Sequence, residues 1–175
     1  MLPILLAIAF VAIVFFIVIA GRPGEFTVTR TATMAAPPAM VFAQVNDFHK
    51  WQAWSPWAKM DPACKNSHDG AAAGVGAGFA WDGNKKVGAG RMTIIESAPD
   101  NLVRIKLEFL KPFKAVNMAD FTFKPEGGQT AVTWSMTGKN NFFFKAFGLF
   151  MDCDKMIGGD FEKGLSALKA VAEAA

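Results

Sequence analysis

The sequence predicts an α+β domain in which a curved antiparallel sheet carries a long C-terminal helix on its concave face, the whole preceded by one membrane-spanning helix. Three observations point there. The chain opens on an uncharged apolar run, continues through a series of period-two segments joined by short turns, and closes on a segment with helical apolar spacing. At 175 residues there is room for one domain beyond the apolar run and little else.

The run is "LPILLAIAFVAIVFFIVIA", residues 2–20, and it accounts for most of the positive mean hydropathy of +0.25. As a helix it would reach about 28 Å, close to the ~30 Å hydrocarbon core of a bilayer. The competing reading is a secretory signal peptide, which needs a basic n-region, a shorter apolar stretch and a small-residue cleavage site. No Lys or Arg precedes the run, although "IAG" at 19–21 has the residue sizes of a weak cleavage site. We therefore assign 1–21 to a transmembrane helix, 22–25 to a short Gly/Pro linker and 26–175 to the domain. Arg22 and Arg30 follow the helix, so the positive-inside rule places the domain in the cytoplasm of a single-pass membrane protein.

All charged side chains lie beyond residue 21, so the domain carries the net charge of +3. Its lysines and arginines are scattered along the sequence, which fits a solvated mixed surface and no nucleic-acid partner. Cys64 and Cys153 are isolated thiols in a chain too large to need a disulfide framework, and a single bridge between them stays open.

"EFTVTRTATM" (25–34) alternates with β-branched residues and forms a strand. "PPAMVFAQVNDF" (37–48) opens with prolines suited to a first helical turn and carries Met40, Val41, Val45 and Phe48 at helical spacing. A Trp-rich stretch and an Ala/Gly-rich loop, "DGAAAGVGAG" (69–78), come next. Then "GFAWDG", "VGAGRMTIIES", "NLVRIKLEFL", "KAVNMADFTFKP" and "QTAVTWSMTGK" form an antiparallel meander, separated by turn signals such as "DGNKK", "APD", "KPF" and "PEGG". In the last segment Phe161, Leu165, Leu168 and Ala172 lie at i, i+4, i+7 and i+11, the apolar stripe of an amphipathic helix. Gly158 and Gly159 interrupt it and predict a break, a kink or a close backbone contact.

Strand parity selects the concave side. Its residues are Phe79 and Trp81; Met92 and Ile94; Val103, Ile105, Leu107 and Phe109; Ala119, Phe121 and Phe123; Val132, Trp134 and Met136. Arg104, Lys106, Glu108, Asp120, Thr122, Thr133 and Ser135 take the opposite face. Either the inward side chains fill a solid core or they line an apolar cavity. Arg30 shares parity with Phe26 and Val28. It would either meet an acidic group inside or snorkel to water at the strand's open end.

The strings "AAPPAMVFAQVNDFHKWQAWSPW", "GAGRMTIIESAPDNLVRIKLEF", "TAVTWSMTGK" and "DFEKGLSALK" resemble the START/Bet v 1-like superfamily, in its broad group of SRPBCC and polyketide-cyclase/dehydratase-like proteins. The resemblance spans about residues 25 to 173. It implies a helix-grip fold, a bent sheet wrapped around the C-terminal helix and enclosing an apolar pocket for lipids, sterols, polyketides or aromatic metabolites. It carries no single catalytic signature, so no catalytic residue and no cofactor are expected.

The expected ligand pocket comprises Trp51, Trp54, Trp57, Phe79, Trp81, Met92, Ile94, Ile105, Leu107, Phe109, Phe121, Phe123, Trp134, Met136, Phe161 and Leu165. Trp51, Trp54 and Trp57 recur at three-residue spacing in a lid that closes one end of the grip, with Pro56 disfavouring helix at Ser55. They either seal the core or touch the ligand. Cys64 and His68 form a lone C-x3-H pair, too few ligands for zinc, so no metal is expected. Asp152, Asp154 and Asp160 suit caps and dipole partners for the last helix. The expected function is a membrane-anchored binder of an apolar small molecule or lipid. The alternatives are a cyclase/dehydratase-like enzyme, which needs an acid or base in the pocket, and a protein-interaction module working through the grip surface.

Overall fold

A computed structural model describes residues 1–140, 142–149 and 152–175. The chain runs α1 (Leu2–Ala20), β1 (Glu25–Met34), α2 (Pro38–Val45), a 3-10 helix (Phe48–Ala53), β2 (Lys65–Gly70), β3 (Ala77–Asp82), β4 (Ala89–Ala98), β5 (Leu102–Lys111), β6 (Ala115–Glu126), β7 (Gln129–Lys139), α3 (Phe142–Phe147) and α4 (Cys153–Glu173). The strands form one antiparallel sheet in the order β1-β7-β6-β5-β4-β3-β2. The meander thus places each strand beside the next, and β1 closes against β7 over its whole length, from Glu25↔Lys139 to Met34↔Thr130.

α4 lies along β1 on the concave side and buries Phe161, Leu165, Leu168 and Ala172, the four positions of its predicted stripe. α2 and the 3-10 helix close one end of the grip with Val41, Val45, Phe48, Trp51 and Trp54. From the sheet, Val28, Ile94, Val103, Ile105, Phe121, Phe123, Val132 and Trp134 meet them in one core. At about 1.5–3 kcal/mol per buried large apolar side chain, this contact is what holds the bent sheet around the helix.

The structure differs from the sequence reading in two places and decides among the alternatives at a third. β2 is a strand that the sequence does not announce, and the expected 69–78 loop shrinks to the segment between Gly70 and Ala77. Every β2 residue is exposed, because an edge strand that α4 does not cover needs no apolar alternation; only His68 meets other rings, those of His49 and Phe79. The helix expected over 37–48 ends at Val45, and a 3-10 helix with Asp47 as its N-cap follows; the Asp47 carboxylate accepts from the His49 amide at 2.9 Å. At Gly158 and Gly159 the helix runs on unbroken. Gly158 is instead the close-contact case: a Cβ there would fall on the Arg30 guanidinium.

Candidate functional site

The concave wall divides into two halves. In the first, under α4 and the 3-10 helix, aromatic rings fill the space. Trp134 stacks on Phe161 with centroids 4.0 Å apart and on Phe121 at 4.7 Å, while Trp51 and Trp54 contact each other at 4.5 Å and meet Phe121 edge-on at 5.8 and 6.0 Å. Trp51 and Trp54 donate their indole N–H groups to the carbonyls of Val45 and Gln44 at 2.9 and 3.3 Å. Trp57 remains half-buried, edge-on to Trp134. Ten of the expected pocket residues, Trp51, Trp54, Ile94, Ile105, Phe121, Phe123, Trp134, Met136, Phe161 and Leu165, are buried in this packed core.

The second half is the end of the wall built by β3, β4 and β5. α4 lies against β1 and does not extend over it. Here Phe79, Trp81, Met92, Leu107 and Phe109 are only half-buried. Register joins them into one strip, since Phe79 pairs with Met92, Met92 with Leu107, Trp81 with Gly90 and Gly90 with Phe109. Phe79 stacks on Trp81 at 6.2 Å, Trp81 meets Phe109 edge-on at 6.0 Å, and the Trp81 indole donates to the Val87 carbonyl at 3.0 Å. The strip is therefore continuous with the core at Ile94 and Ile105: Phe79, Met92 and Leu107 pack against that core, and Trp81 and Phe109 lie beyond them.

Two polar side chains meet this lining: His68, paired with Phe79 across β2 and β3 with ring centroids 5.1 Å apart, and Asn117. Asn117, opposite Leu107 on β6, is 7% exposed and makes one long contact, from its amide nitrogen to Met136 Sδ at 3.7 Å. It shares parity with Ala119, Phe121 and Phe123, so the signal was present in the alternation and was masked by reading only the apolar members. An amide held among apolar groups with spare bonding capacity suits a hydroxyl or carbonyl of an otherwise apolar ligand.

Arg30 is neither in the strip nor released to water. Its Nε donates to Glu162 Oε1 at 2.8 Å, its Nη2 to Asp154 Oδ2 at 3.0 Å and its Nη1 to the Thr29 carbonyl at 2.8 Å, fastening β1 to α4. The guanidinium beside it holds the Asp154 carboxyl below the usual aspartate range, and the two hydrogen-bonded carboxylates raise Arg30 in turn. Asp152 caps α4, accepting from the Lys155 amide at 3.0 Å, and Asp160 pairs with Lys163. His49 and His68 stack at 4.2 Å, with His49 Nδ1 2.9 Å from Asp47. Cys64 is a free thiol pushed up by burial. Among the described residues no three His, Cys, Asp or Glu side chains converge on a point a metal could take.

A bent seven-stranded antiparallel sheet gripping a C-terminal helix, with an apolar concave wall, defines a helix-grip protein. The chain belongs to the polyketide cyclase / dehydrase and lipid transport family, whose profile matches residues 25–173. Hydrophobic ligands are thus the family's common currency. Solved structures of the same shape include a protein of Rhizobium loti (19% identity, 83% of this chain and 96% of that one, TM-score 0.62) and Ara h 8.0201 (13%, 87% and 100%, 0.56). A third is the di-domain ARO/CYC StfQ of the steffimycin biosynthetic pathway (11%, 86% and 51%, 0.62). At such identities the likeness is one of fold. A comparison with curated proteins returns no significant sequence match.

Proposed function

We propose that this protein is a membrane-anchored binder of an apolar small molecule or lipid. The observation that carries the reading is the half-buried strip Phe79–Trp81–Met92–Leu107–Phe109 with the Asn117 amide beside it. An elongated apolar body laid along the strip would complete the burial of five large side chains, and its single polar group would meet Asn117. α1 supports the anchor: it is one helix of 19 residues with mean hydropathy 3.3 over its most apolar window, long and apolar enough to cross a bilayer. Tethering of this kind keeps the strip close to the phase in which such ligands dissolve.

Cyclase or dehydratase chemistry would need a proton donor or acceptor facing the ligand. The concave side offers Arg30, already engaged by two carboxylates, the neutral Asn117 and, at the exposed β2 edge, His68, whose ring contacts His49 and Phe79. An interaction module would need an apolar convex face, yet there Arg104 pairs with Asp120 and Glu96, and Lys106 with Glu108.

The test uses a brominated fatty acid with the full chain in nanodiscs. Bromine quenches tryptophan only in contact, and Trp81 is the indole in the strip. Partial quenching that disappears in Trp81→Phe is the expected result. Equal quenching in wild type and Trp81→Phe, or none in either, would overturn the reading.

A further inference from the structure

Antiparallel pairing sorts the turns of the sheet into two ends. The β3–β4 turn "GNKKVG" (83–88) and the β5–β6 turn "KPFK" (111–114) lie at the end where β1 begins and β7 stops. The β2–β3, β4–β5 and β6–β7 turns, "AAAGVG" (71–76), "APDN" (98–101) and "EGGQ" (126–129), lie at the other. Every lysine in these five turns is therefore at the α1 end, and the far turns carry only acidic charge. Lys85, Lys86 and Lys114 make no ion pair among the described residues, while Lys111 pairs with Asp82 at 3.1 Å.

The same end carries exposed apolar groups. Leu110 is 55% and Phe113 50% exposed, on either side of Lys111 and Pro112. Its distance from the bilayer is fixed by the linker. Four residues separate α1 from β1, an extended reach of about 14 Å at most. They are not slack: the Gly24 carbonyl accepts from the Asn140 amide at 2.9 Å, Arg22 donates to the Gly148 carbonyl at 3.4 Å, and α1, whose last-turn Ile19 is fully buried, contacts α3. Asn117 pairs with Gly138, which pairs with Phe26. Two residues further out this register brings Ala115 level with Gly24, so the Lys111–Lys114 tip projects beyond Gly24 at the end of the sheet from which α1 leaves.

We propose that the α1 end of the sheet is a docking surface for the anionic lipid bilayer in which α1 is anchored. Lys85, Lys86 and Lys114 hold acidic headgroups, and Leu110 and Phe113 enter the interfacial layer between them. The strip ends at this same edge, at Trp81 and Phe109. Docking therefore sets this end against the headgroups, and a lipid can move from bilayer to strip without crossing water. The proposal rests on α1 being an anchor. Each lysine near an anionic surface favours the docked form about fivefold, so three lysines outweigh a modest cost of ordering the turn.

The test uses the full chain with Cys64→Ser and Cys153→Ser, carrying one environment-sensitive fluorophore at Leu110→Cys or, as a control, at Gly127→Cys in the far β6–β7 turn. Each is reconstituted in phosphatidylcholine vesicles with and without phosphatidylglycerol. The expected result is blue-shifted emission and quenching by spin-labelled lipid at position 110 in the anionic vesicles only. A Lys85→Glu, Lys86→Glu, Lys114→Glu variant should lose at least tenfold in docked fraction, and position 127 should stay aqueous throughout. Should α1 resist alkaline extraction while position 110 is as aqueous as position 127 in both lipids, the docking surface is wrong and the anchor stands. Should the chain be extracted by alkali, the anchor is wrong and the docking proposal falls with it. Far-ultraviolet dichroism confirms that each variant is folded, and the charge reversal changes only exposed side chains.

Discussion

The indole of Trp81 lies across Gly90, its cross-strand partner on β4: a Cβ at residue 90 would come within 2.5 Å of Trp81 Cη2 and Cζ2 and of the Glu108 carbonyl. Glycine at this position is what lets the ring lie down toward Phe109 and roof the outer end of the apolar strip.

Gly90→Ala is therefore expected to lift Trp81 off the sheet and press on the β5 backbone. Overpacking of this kind costs about 1–3 kcal/mol, readable by urea denaturation. Quenching of Trp81 by a brominated fatty acid should fall in the same variant. Unchanged stability together with unchanged quenching would show that the ring does not depend on the glycine.

Gly158 and Gly159 are adjacent in α4 and should respond oppositely to alanine. A Cβ at Gly159 meets nothing within 4 Å, so Gly159→Ala is expected to stabilise by about 0.5–1 kcal/mol through helix propensity alone. A Cβ at Gly158 falls on the Arg30 guanidinium and must displace it from Asp154 and Glu162. Gly158→Ala should gain less than Gly159→Ala or lose stability outright. Paired thermal melts decide this, and equal gains would mean that Arg30 swings aside without loss.

How much of this could be read in the sequence depends on which physical signal each element left. α4 and β4 to β7 announce themselves because each buries one face and so carries a period, and α1 by an unbroken apolar run of 19 residues. β2, "KNSHDG", buries neither face and leaves no trace. For the site, parity identified the concave side of Phe79, Trp81, Met92, Leu107 and Phe109, since alternation is a property of the strand itself. Depth is different. Whether Ile105 is sealed and Leu107 half-open depends on where α4 comes to rest across the sheet, and α4 rests against β1 through the Arg30 contacts, a tertiary choice without local periodicity. The tryptophans show the same limit: equal spacing placed Trp51 and Trp54 in the core and left Trp57 at its edge.

The Arg30–Asp154 pair should make stability pH-dependent in acid. The folded carboxyl titrates below the ordinary aspartate value of 3.8, so the pair stabilises the fold fully above that value and loses its effect as pH falls through the lower, folded one. Arg30 stays charged throughout. A double-mutant cycle of Arg30→Met and Asp154→Asn is expected to show constant coupling from neutral pH down to about pH 5 and a decline below the ordinary carboxylate range. Coupling that grows on acidification would reverse the assignment.

Trp134 sets the last test. Trp51, Trp54 and Trp81 each donate to a backbone carbonyl, whereas the Trp134 Nε1 is buried without a hydrogen-bond partner among the described residues. An unpaired buried donor costs about 1–3 kcal/mol, so Trp134→Phe gives back in polar desolvation much of what it loses in ring volume. Its net cost is expected to stay below about 1 kcal/mol. Trp54→Phe removes a donor that is satisfied, strands the Gln44 carbonyl and should cost about 1–2 kcal/mol more than Trp134→Phe. Urea midpoints of the two variants, measured on delipidated protein, settle the comparison. A Trp134→Phe penalty as large as that of Trp54→Phe would show that its N–H is bonded in solution. Were that penalty to appear only when an apolar ligand with a carbonyl or hydroxyl is added, Trp134 would become a contact of the ligand's polar group, and the binding site would extend from the strip into the packed half of the grip.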